Sequence, residues 1–110
     1  MKIGIDSYCY HRQFGDPYPG LQEPAAKRMD VWGFLNRARR LGVAGVSLET
    51  CYLPPIDRPF LDRLRSWLDA AGMERVWAWG HPAGLKSGTD HEAARDLVRH
   101  LGHAQAIGAK

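Results

Sequence analysis

Residues 41–50, with the sequence LGVAGVSLET, read as the end of a helix followed by a short strand that closes on a carboxylate. Gly42 follows an arginine-rich segment, and glycine commonly ends a helix because it adopts the left-handed conformation without strain. From Gly45 onward apolar and polar residues alternate, which is the pattern of a strand with one buried face. Glu49 therefore lies on the polar face, at the strand's carboxyl end.

The same glycine punctuation recurs at Gly72 and Gly108. The spacing between successive glycines, roughly 30 to 36 residues, is that of a repeated strand–helix unit. By this rhythm a fourth strand would begin just after Lys110. We therefore expect residues 1–110 to be an incomplete piece of a larger repeating α/β protein, truncated before strand 4.

Composition describes one globular domain with no membrane segment. The chain has 110 residues, of which 45% are hydrophobic and 25% charged, and a net charge of +3. The basic residues fall mostly on predicted helices that also carry acids, which favours solvated helix faces over a nucleic-acid surface. No apolar run reaches the roughly 20 residues that span a bilayer, so a cytoplasmic location is predicted. Cys9 and Cys51 are predicted to be reduced thiols near a pocket rim.

Three strands and three helices alternate along the predicted chain. The strands are expected over Lys2–Ser7, from Gly45 to Glu49, and over Arg75–Trp79. The first helix is expected to follow Asp30, and the second to begin near Pro59. The third is expected to begin with a capping box over Thr89–Glu92 and to bury Ala94, Leu97, Val98, Leu101 and Ala104 or Gln105.

A long loop from Tyr8 to Ala26 holds three prolines and two glycines, which block regular structure. Long ordered loops in compact domains are frequently functional. The aromatic and histidine side chains of this loop are predicted to form a wall or lid over a site. They are Tyr8, Tyr10, His11, Phe14 and Tyr18.

The alternation predicts an α/β fold with three consecutive parallel βα units. A doubly wound nucleotide-binding fold would place a glycine-rich turn after the first strand, yet no G-x-G-x-x-G follows Ile5. The alternative is an incomplete (β/α)8 TIM barrel, in which chemistry resides at the carboxyl ends of the strands.

The two-residue period assigns a face to each strand residue. The face predicted to contact the helices comprises Ile3, Ile5, Val46, Leu48, Val76 and Ala78. The opposite, polar face comprises Gly4, Asp6, Ser47, Glu49, Trp77 and Trp79, with His81 just beyond. The sequence therefore predicts that Asp6, Glu49 and His81 converge at one end of the sheet, with Trp79 near this end.

These side chains can bind a divalent metal, transfer protons or hold sugar hydroxyls, and Trp79 can pack on the apolar face of a sugar. Structural alternatives stay open for each residue. Asp6 could cap the following turn, Glu49 could pair with an arginine, and His81 could anchor its loop. His100 and His103 have a spacing that can hold metal, but a solvated helix face is the favoured interpretation.

Three segments resemble a known family. Lys2–Tyr8 (KIGIDSY) looks like the opening strand of the xylose isomerase-like TIM barrels, the sugar phosphate isomerase/epimerase superfamily. Arg40–Glu49 (RLGVAGVSLE) is similar to that family's second-strand passage, and Gly108–Lys110 looks like the lead-in to its fourth strand. The resemblance covers nearly the whole chain apart from residues 13–28.

The resemblance implies a metal-dependent enzyme that moves a proton or hydride between adjacent carbons of a ketose-like sugar. The family's metal ligands come from later strands, so no catalytic or metal-binding residue is assigned here, and the 110 residues alone are expected to be inactive. The divalent metal (Mn, Mg, Co or Zn) would belong to the full-length parent. In this chain Glu49, His81, Asp6 and Trp79 are expected to form part of the substrate pocket.

Two other functions stay open. The same superfamily includes endonuclease IV-type DNA repair phosphodiesterases, whose early-strand histidines bind metal, and His81 sits where one of these could fall. Such an enzyme would need more histidines and a basic groove, which the modest charge disfavours. The other alternative is a non-catalytic α/β protein that covers its open sheet by forming a homo-oligomer.

Overall fold

Strands and helices alternate as the sequence predicts. The computed structural model describes residues 1–110. The strands are β1 (Gly4–Asp6), β2 (Gly45–Glu49) and β3 (Glu74–Ala78), and the helices are α1 (Val31–Leu41), α2 (Arg58–Ala70) and α3 (His91–Ala106). All strand pairs are parallel, in the order β1-β2-β3. The prediction of an α/β fold built from consecutive parallel βα units is therefore confirmed at this level.

Each helix begins after an aspartate whose carboxylate accepts a hydrogen bond from the amide three residues later, at 2.8–3.0 Å. The caps are Asp30, Asp57 and Asp90. The first agrees with the prediction, whereas the capping box predicted at Thr89 is wrong by one residue. The Thr89 hydroxyl instead donates to the carbonyl of Lys86 at 2.7 Å, so that α3 begins one residue later.

Each helix ends next to a glycine in the left-handed conformation, as predicted. These glycines are Gly42, Gly72 and Gly108, with φ between 63° and 72°. In each unit the second residue after the glycine donates its amide hydrogen to a carbonyl of the preceding strand segment. The pairs are Ala44 to Ile3 (2.8 Å), Glu74 to Ala44 (3.0 Å) and Lys110 to Arg75 (3.3 Å). The third helix thus returns the chain to the outer edge of β3.

The hydrophobic core lies on one side of the sheet, beneath the helices. Its buried members are Val31, Phe34, Leu35, Ala38, Val46, Leu48, Phe60, Leu61, Leu64, Leu68, Met73 and Ile107. Because β2 contributes Val46 and Leu48 to this core, the helices cover the face to which those side chains point. None of the three helices is both long and apolar enough to cross a membrane.

The other side of the sheet, which we call the open face, is not covered. Register pairs Ser47 with Val76 and Leu48 with Trp77, so Val76 shares the face of Asp6 and Ser47. Val76 is 49% exposed. The open face comprises Gly4, Asp6, Gly45, Ser47, Glu49, Glu74, Val76 and Ala78. The predicted facing of β3 is therefore wrong by one residue.

A buried arginine explains that error. Arg75 is 8% exposed and lies on the helix side, where its guanidinium donates to the carbonyls of Met73 (3.0 Å) and Ile107 (3.1 Å) and to Asp69 Oδ1 (2.6 Å). Main-chain carbonyls satisfy its donors, so a charged residue occupies a position that the alternation assigned to the polar face.

The predicted inner face of α3 is wrong in part: Ala94, Leu97 and Ala104 are partly buried, but Val98 and Leu101 are not. Val98 and Leu101 are 66% and 62% exposed, whereas Ala93 is buried. His100 faces the sheet and accepts a hydrogen bond from Trp77. Helix α3 thus contacts β3 partly through His100, and two of its three larger aliphatic side chains, Val98 and Leu101, face outward.

Candidate functional site

Two of the predicted site residues meet at the carboxyl ends of β1 and β2. Asp6 and Glu49 lie on the open face, and the negative charge of Asp6 adds to burial in raising the pKa of Glu49, with burial the larger cause. Asp6 also caps the turn that follows it, because its Oδ1 accepts from the amide of Tyr8 at 2.7 Å. The structural alternative for Asp6 is thus realised, and its charge still contributes to the raised pKa of Glu49.

Glu49 is oriented from behind by Ser7. The buried Ser7 Oγ accepts a hydrogen bond from the Glu49 amide at 2.8 Å, which joins the ends of β1 and β2. Glu49 forms no ion pair, so the arginine partner considered from the sequence is absent. A half-buried carboxyl group without a cationic partner has its pKa raised above the ordinary glutamate value, and perturbed groups of this kind are typical of functional sites.

The third strand brings only small residues to Glu49, whose register partner is Ala78. A Cβ added to Gly80, two residues beyond β3, would meet Glu49 Oε2 at 4.0 Å. This glycine therefore leaves space beside the carboxylate at the end of β3.

An aromatic wall stands beside the two carboxylates, as the loop composition predicted. Tyr8 stacks on His11 (ring centroids 5.0 Å apart), and His11 lies against Tyr18 at 4.7 Å. The hydroxyls of Tyr8 and Tyr18 are hydrogen-bonded to each other. His11 and the Tyr18 amide both bond the Gln22 side-chain oxygen at 2.9 Å, which ties the loop to itself. The loop is thus an ordered wall.

The predicted members Tyr10 and Phe14 have a second task, because each packs edge-on against the core residue Phe34. They fasten the wall to α1. The sequence reasoning missed Tyr52, which stacks on Phe14 with ring centroids 4.8 Å apart and donates to Asp16 Oδ2 at 2.8 Å. Its position in the turn after β2, three residues beyond Glu49, was the signal that could have identified it.

Two phenols beside the carboxylates, those of Tyr8 and Tyr52, have raised pKa values. The hydrogen bond with Tyr18 is the largest cause that raises the pKa of Tyr8, and the charges of Asp16 and Glu49 add to it. Burial, followed by the hydrogen bond to Asp16, raises the pKa of Tyr52. Protonated phenol hydroxyls can donate hydrogen bonds to a polar ligand.

Trp79 and His81 do not join the two carboxylates. Trp79 Nε1 donates to Asp96 Oδ2 of α3 at 2.8 Å, and the His81 ring stacks on Trp79 with centroids 6.1 Å apart. That hydrogen bond is the main cause that lowers the pKa of Asp96, with a smaller effect from the charge of His81. The predicted convergence of His81 with Asp6 and Glu49 is therefore not seen, because the facing of β3 directs Trp79 toward α3 and His81 stacks on Trp79.

His100 links α3 to the sheet. Its Nδ1 accepts from Trp77 Nε1 at 3.0 Å, its Nε2 lies 3.5 Å from Asp96 Oδ2, and its side chain is only 13% exposed. The prediction of a solvated helix face is wrong for this histidine. Burial is the main cause that lowers its pKa. His103 lies edge-on to it, with ring centroids 5.2 Å apart.

A shallow groove of about 340 Å³ runs along the open face. All three strands line it, including Asp6, Ser47 and Val76, but Glu49 does not. The groove is thus centred nearer the amino ends of the strands, and the carboxylate pair lies beyond its upper end. Cys9 and Cys51 are both exposed free thiols.

Comparison with known proteins assigns no family. No protein-family model matches the sequence, and no curated protein matches it.

Asp6 and Glu49 are too few to hold a divalent metal by themselves. No group of three or more His, Cys, Asp or Glu side chains is arranged to bind a metal ion. Catalytic metals in proteins usually take at least three protein ligands. What this site can do with its own residues is bind hydroxyl groups and exchange protons through Glu49.

Proposed function

We propose that residues 1–110 form the first three βα units of a xylose isomerase-like (β/α)8 barrel, and that Glu49 and Asp6 line the sugar pocket of a metal-dependent ketose isomerase or epimerase. One observation carries the proposal. A carboxyl group with a raised pKa and no cationic partner stands at the carboxyl end of the middle strand, beside a second carboxylate and an aromatic wall.

The sheet supports the barrel part of the proposal. Sequential strand order with helices on one side only is the arrangement of a (β/α)8 barrel, whereas doubly wound folds carry helices on both faces. The open face would then become the barrel interior. A branched apolar side chain such as Val76 is typical of that interior.

The repeated amide contact adds a second line of support. The Lys110 amide bonds the carbonyl of Arg75 within β3, much as Ala44 and Glu74 bond the residues just before β1 and β2. A fourth parallel strand alongside β3 would continue this pattern. The position of Lys110 at the edge of β3 supports the proposal of a fourth strand there.

The chemistry of the pocket suits a polyhydroxylated substrate. Carboxylates accept hydrogen bonds from sugar hydroxyls, and the hydrogen-bonded pair of Tyr8 and Tyr18 leaves one phenol O–H to donate to a ligand. Glu49 can receive or return a proton at a hydroxyl or a carbon next to a carbonyl, because a raised pKa brings it closer to working pH. In this proposal the metal ligands lie in later strands, and no step is assigned to the metal here.

The deciding experiment uses the complete gene product, assayed for isomerisation and epimerisation of ketoses with Mn²⁺ and with a chelator. We expect metal-dependent turnover that Glu49→Gln reduces by about 100-fold or more, since general acid–base groups contribute that much. Glu74→Gln is the matched control, because Glu74 lies on the same face at the other end of the sheet. Equal rates for the two variants would contradict the pocket assignment.

The phosphodiesterase alternative receives less support. Its early-strand histidine would be His81, which lies against Trp79 and acts on the pKa of Asp96 instead of joining Asp6 and Glu49. Metal-dependent cleavage of DNA, with no turnover of ketoses, would favour that alternative. A gene product with neither activity would favour the non-catalytic one.

A further inference from the structure

We propose that a second site, the basic groove between the first loop and α1, binds a small polyanion that carries two or more phosphate groups. The basic groove has a volume of about 930 Å³. Five cationic side chains line it: Arg12, Lys27, Arg28, Arg37 and Arg40.

None of these five cations is neutralised within the chain. No ion pair joins any of them to a carboxylate, although seven ion pairs form elsewhere. The one carboxylate lining the groove, Asp30, accepts the Gly33 amide at 2.8 Å as the cap of α1. Like charges gathered in a concavity raise the local concentration of anions. The groove therefore has a positive electrostatic potential that no carboxylate of the chain neutralises by an ion pair, as an anion-binding site requires.

Two guanidinium groups are held in place by main-chain carbonyls. Arg12 Nε donates to the carbonyl of Glu23 at 3.0 Å, and Arg28 Nη2 donates to that of Phe14 at 3.1 Å. Gly15 makes room for Arg28, because a Cβ at this position would overlap the guanidinium. Each of these arginines keeps other N–H donors free, and groups fixed before binding lose less entropy on binding.

Arg37 is held similarly, with its Nε 3.4 Å from the hydroxyl of Tyr10. Arg40 and Lys27 make no side-chain hydrogen bond or ion pair within the chain. The groove thus combines held arginines with two unengaged cations.

The shape and chemistry favour a phosphorylated small molecule. Four of the five cations are arginines, whose planar forks bind phosphate oxygens in pairs. The volume lies within the range of small-ligand sites. The groove offers no ring on which a nucleic-acid base could stack, because its one aromatic side chain, Tyr10, packs edge-on against Phe34. A nucleic acid strand would find cations here without a stacking platform.

The basic groove is separate from the carboxylate site. Gly33 and Arg37 lie on the side of α1 opposite to the buried Leu35 and Ala38. The groove therefore lies outside the helix layer, whereas Asp6 and Glu49 lie on the open face beyond the sheet. Failure of the sugar proposal would leave this one unaffected, and the reverse holds as well.

The test is isothermal titration calorimetry of the 110-residue protein with inorganic pyrophosphate. We expect one site, with affinity about tenfold weaker in Arg40→Gln and in Lys27→Gln, because each removes a charge-assisted contact. Neither side chain has an internal partner, so both variants should fold normally. The matched control is Arg95→Gln, which removes an exposed, unpaired arginine on α3 and should bind like the wild type.

Three outcomes would overturn the proposal. The first is no binding of pyrophosphate at millimolar concentration. The second is equal weakening by Arg95→Gln, which would indicate attraction by net charge alone. The third is binding of an acidic peptide or of DNA at these same residues with no competition by pyrophosphate, which would assign the groove to a macromolecule.

Discussion

Glu49 combines two properties that conflict at the level of a single residue. Its amide is fixed by Ser7, yet its carboxyl group is half-buried, lies near Asp6 and has no cation beside it. A side chain in such surroundings costs stability when charged, and groups of this kind are typical of functional sites. The sugar-pocket proposal depends on this residue.

The first prediction concerns the pH dependence of stability at Glu49. The folded protein binds this proton more tightly than the unfolded chain, because the pKa of Glu49 is raised. Its contribution to the free energy of unfolding therefore falls as pH rises from the ordinary glutamate range through the raised pKa. Glu49→Gln should gain stability relative to the wild type between pH 4 and pH 7, measured by urea denaturation. A relative loss over that range would contradict the assignment.

The second prediction concerns Arg75, the buried arginine of β3. Arg75→Met keeps the aliphatic stem but leaves the carbonyls of Met73 and Ile107 without their donors. We expect a loss of about 2–4 kcal/mol in the free energy of unfolding. The control is Arg58→Met, which removes an exposed ion pair with Asp62 and should cost about 0.5 kcal/mol or less. Similar losses for both variants would show that the buried contacts contribute little.

At the scale of elements, helix α3 is attached to the sheet by a polar network. Trp77 donates to His100, and Asp96 accepts from Trp79 and lies near the other His100 nitrogen. Protonation of His100 at Nδ1 would place a hydrogen against the Trp77 N–H. The network therefore requires that Nδ1 carry no proton.

The third prediction follows from this network. Burial lowers the pKa of His100, with His103 and Arg99 acting in the same direction and Asp96 against it. The folded protein thus binds this proton less tightly than the unfolded chain, and stability should fall as pH decreases from the ordinary histidine value through the lowered pKa. The measurement is the free energy of unfolding at pH 8 and pH 5.

His100→Asn should reduce the difference between those two values, because it retains an acceptor that does not titrate. The exposed His91 offers a control, since His91→Asn should leave the difference unchanged. An undiminished pH dependence in His100→Asn would show that other groups cause it.

The fourth prediction concerns the close approach of β2 and β3. A Cβ on Gly45 would lie 2.9 Å from the carbonyl oxygen of Glu74, which is closer than such atoms pack. Gly45→Ala should therefore cost about 1–3 kcal/mol. Gly102 in α3 has open space around it, so Gly102→Ala should stabilise by about 0.5–1 kcal/mol. Thermal unfolding distinguishes the two, and a stabilising Gly45→Ala would contradict this close approach of the two strands.

The elements that the sequence predicted well are those set by local chemistry. Asp30 and Gly42 mark the ends of α1 through contacts within a few residues, and such signals are readable along the chain. The facing of β3 could not be predicted from the sequence, because the partners that allow Arg75 to be buried include the carbonyl of Ile107, 32 residues away. The prediction that His100 is solvated was wrong for the same reason, since its partner Trp77 lies on a different element.

The site residues likewise include some that local patterns predicted and others that they did not. Asp6 and Glu49 follow from strand parity in β1 and β2, where apolar and polar residues alternate regularly. Trp79 and His81 were placed with them by extending that parity through β3, where it shifts by one residue. The aromatic wall was predicted from composition, but its attachment through Tyr52 depends on a turn that no periodicity describes.

For the whole molecule, the barrel proposal depends on whether the open face is covered in the complete protein. In the 110-residue chain Val76 is half-exposed beside Ser47, on a sheet that is covered on one side only. In the proposed barrel the same side chain would be packed in the interior. The two situations differ in a property that can be measured directly, the access of a reagent to position 76.

The most direct measurement is therefore the rate of thiol labelling of Val76→Cys in the 110-residue chain and in the complete gene product, with Cys9 and Cys51 replaced by serine. Asp62→Cys, at an exposed position of α2, is the control in both proteins. We expect rapid labelling at position 76 in the short chain, strong protection in the complete product, and rapid labelling at position 62 in both. Equal labelling at position 76 in the two proteins would contradict the closed barrel.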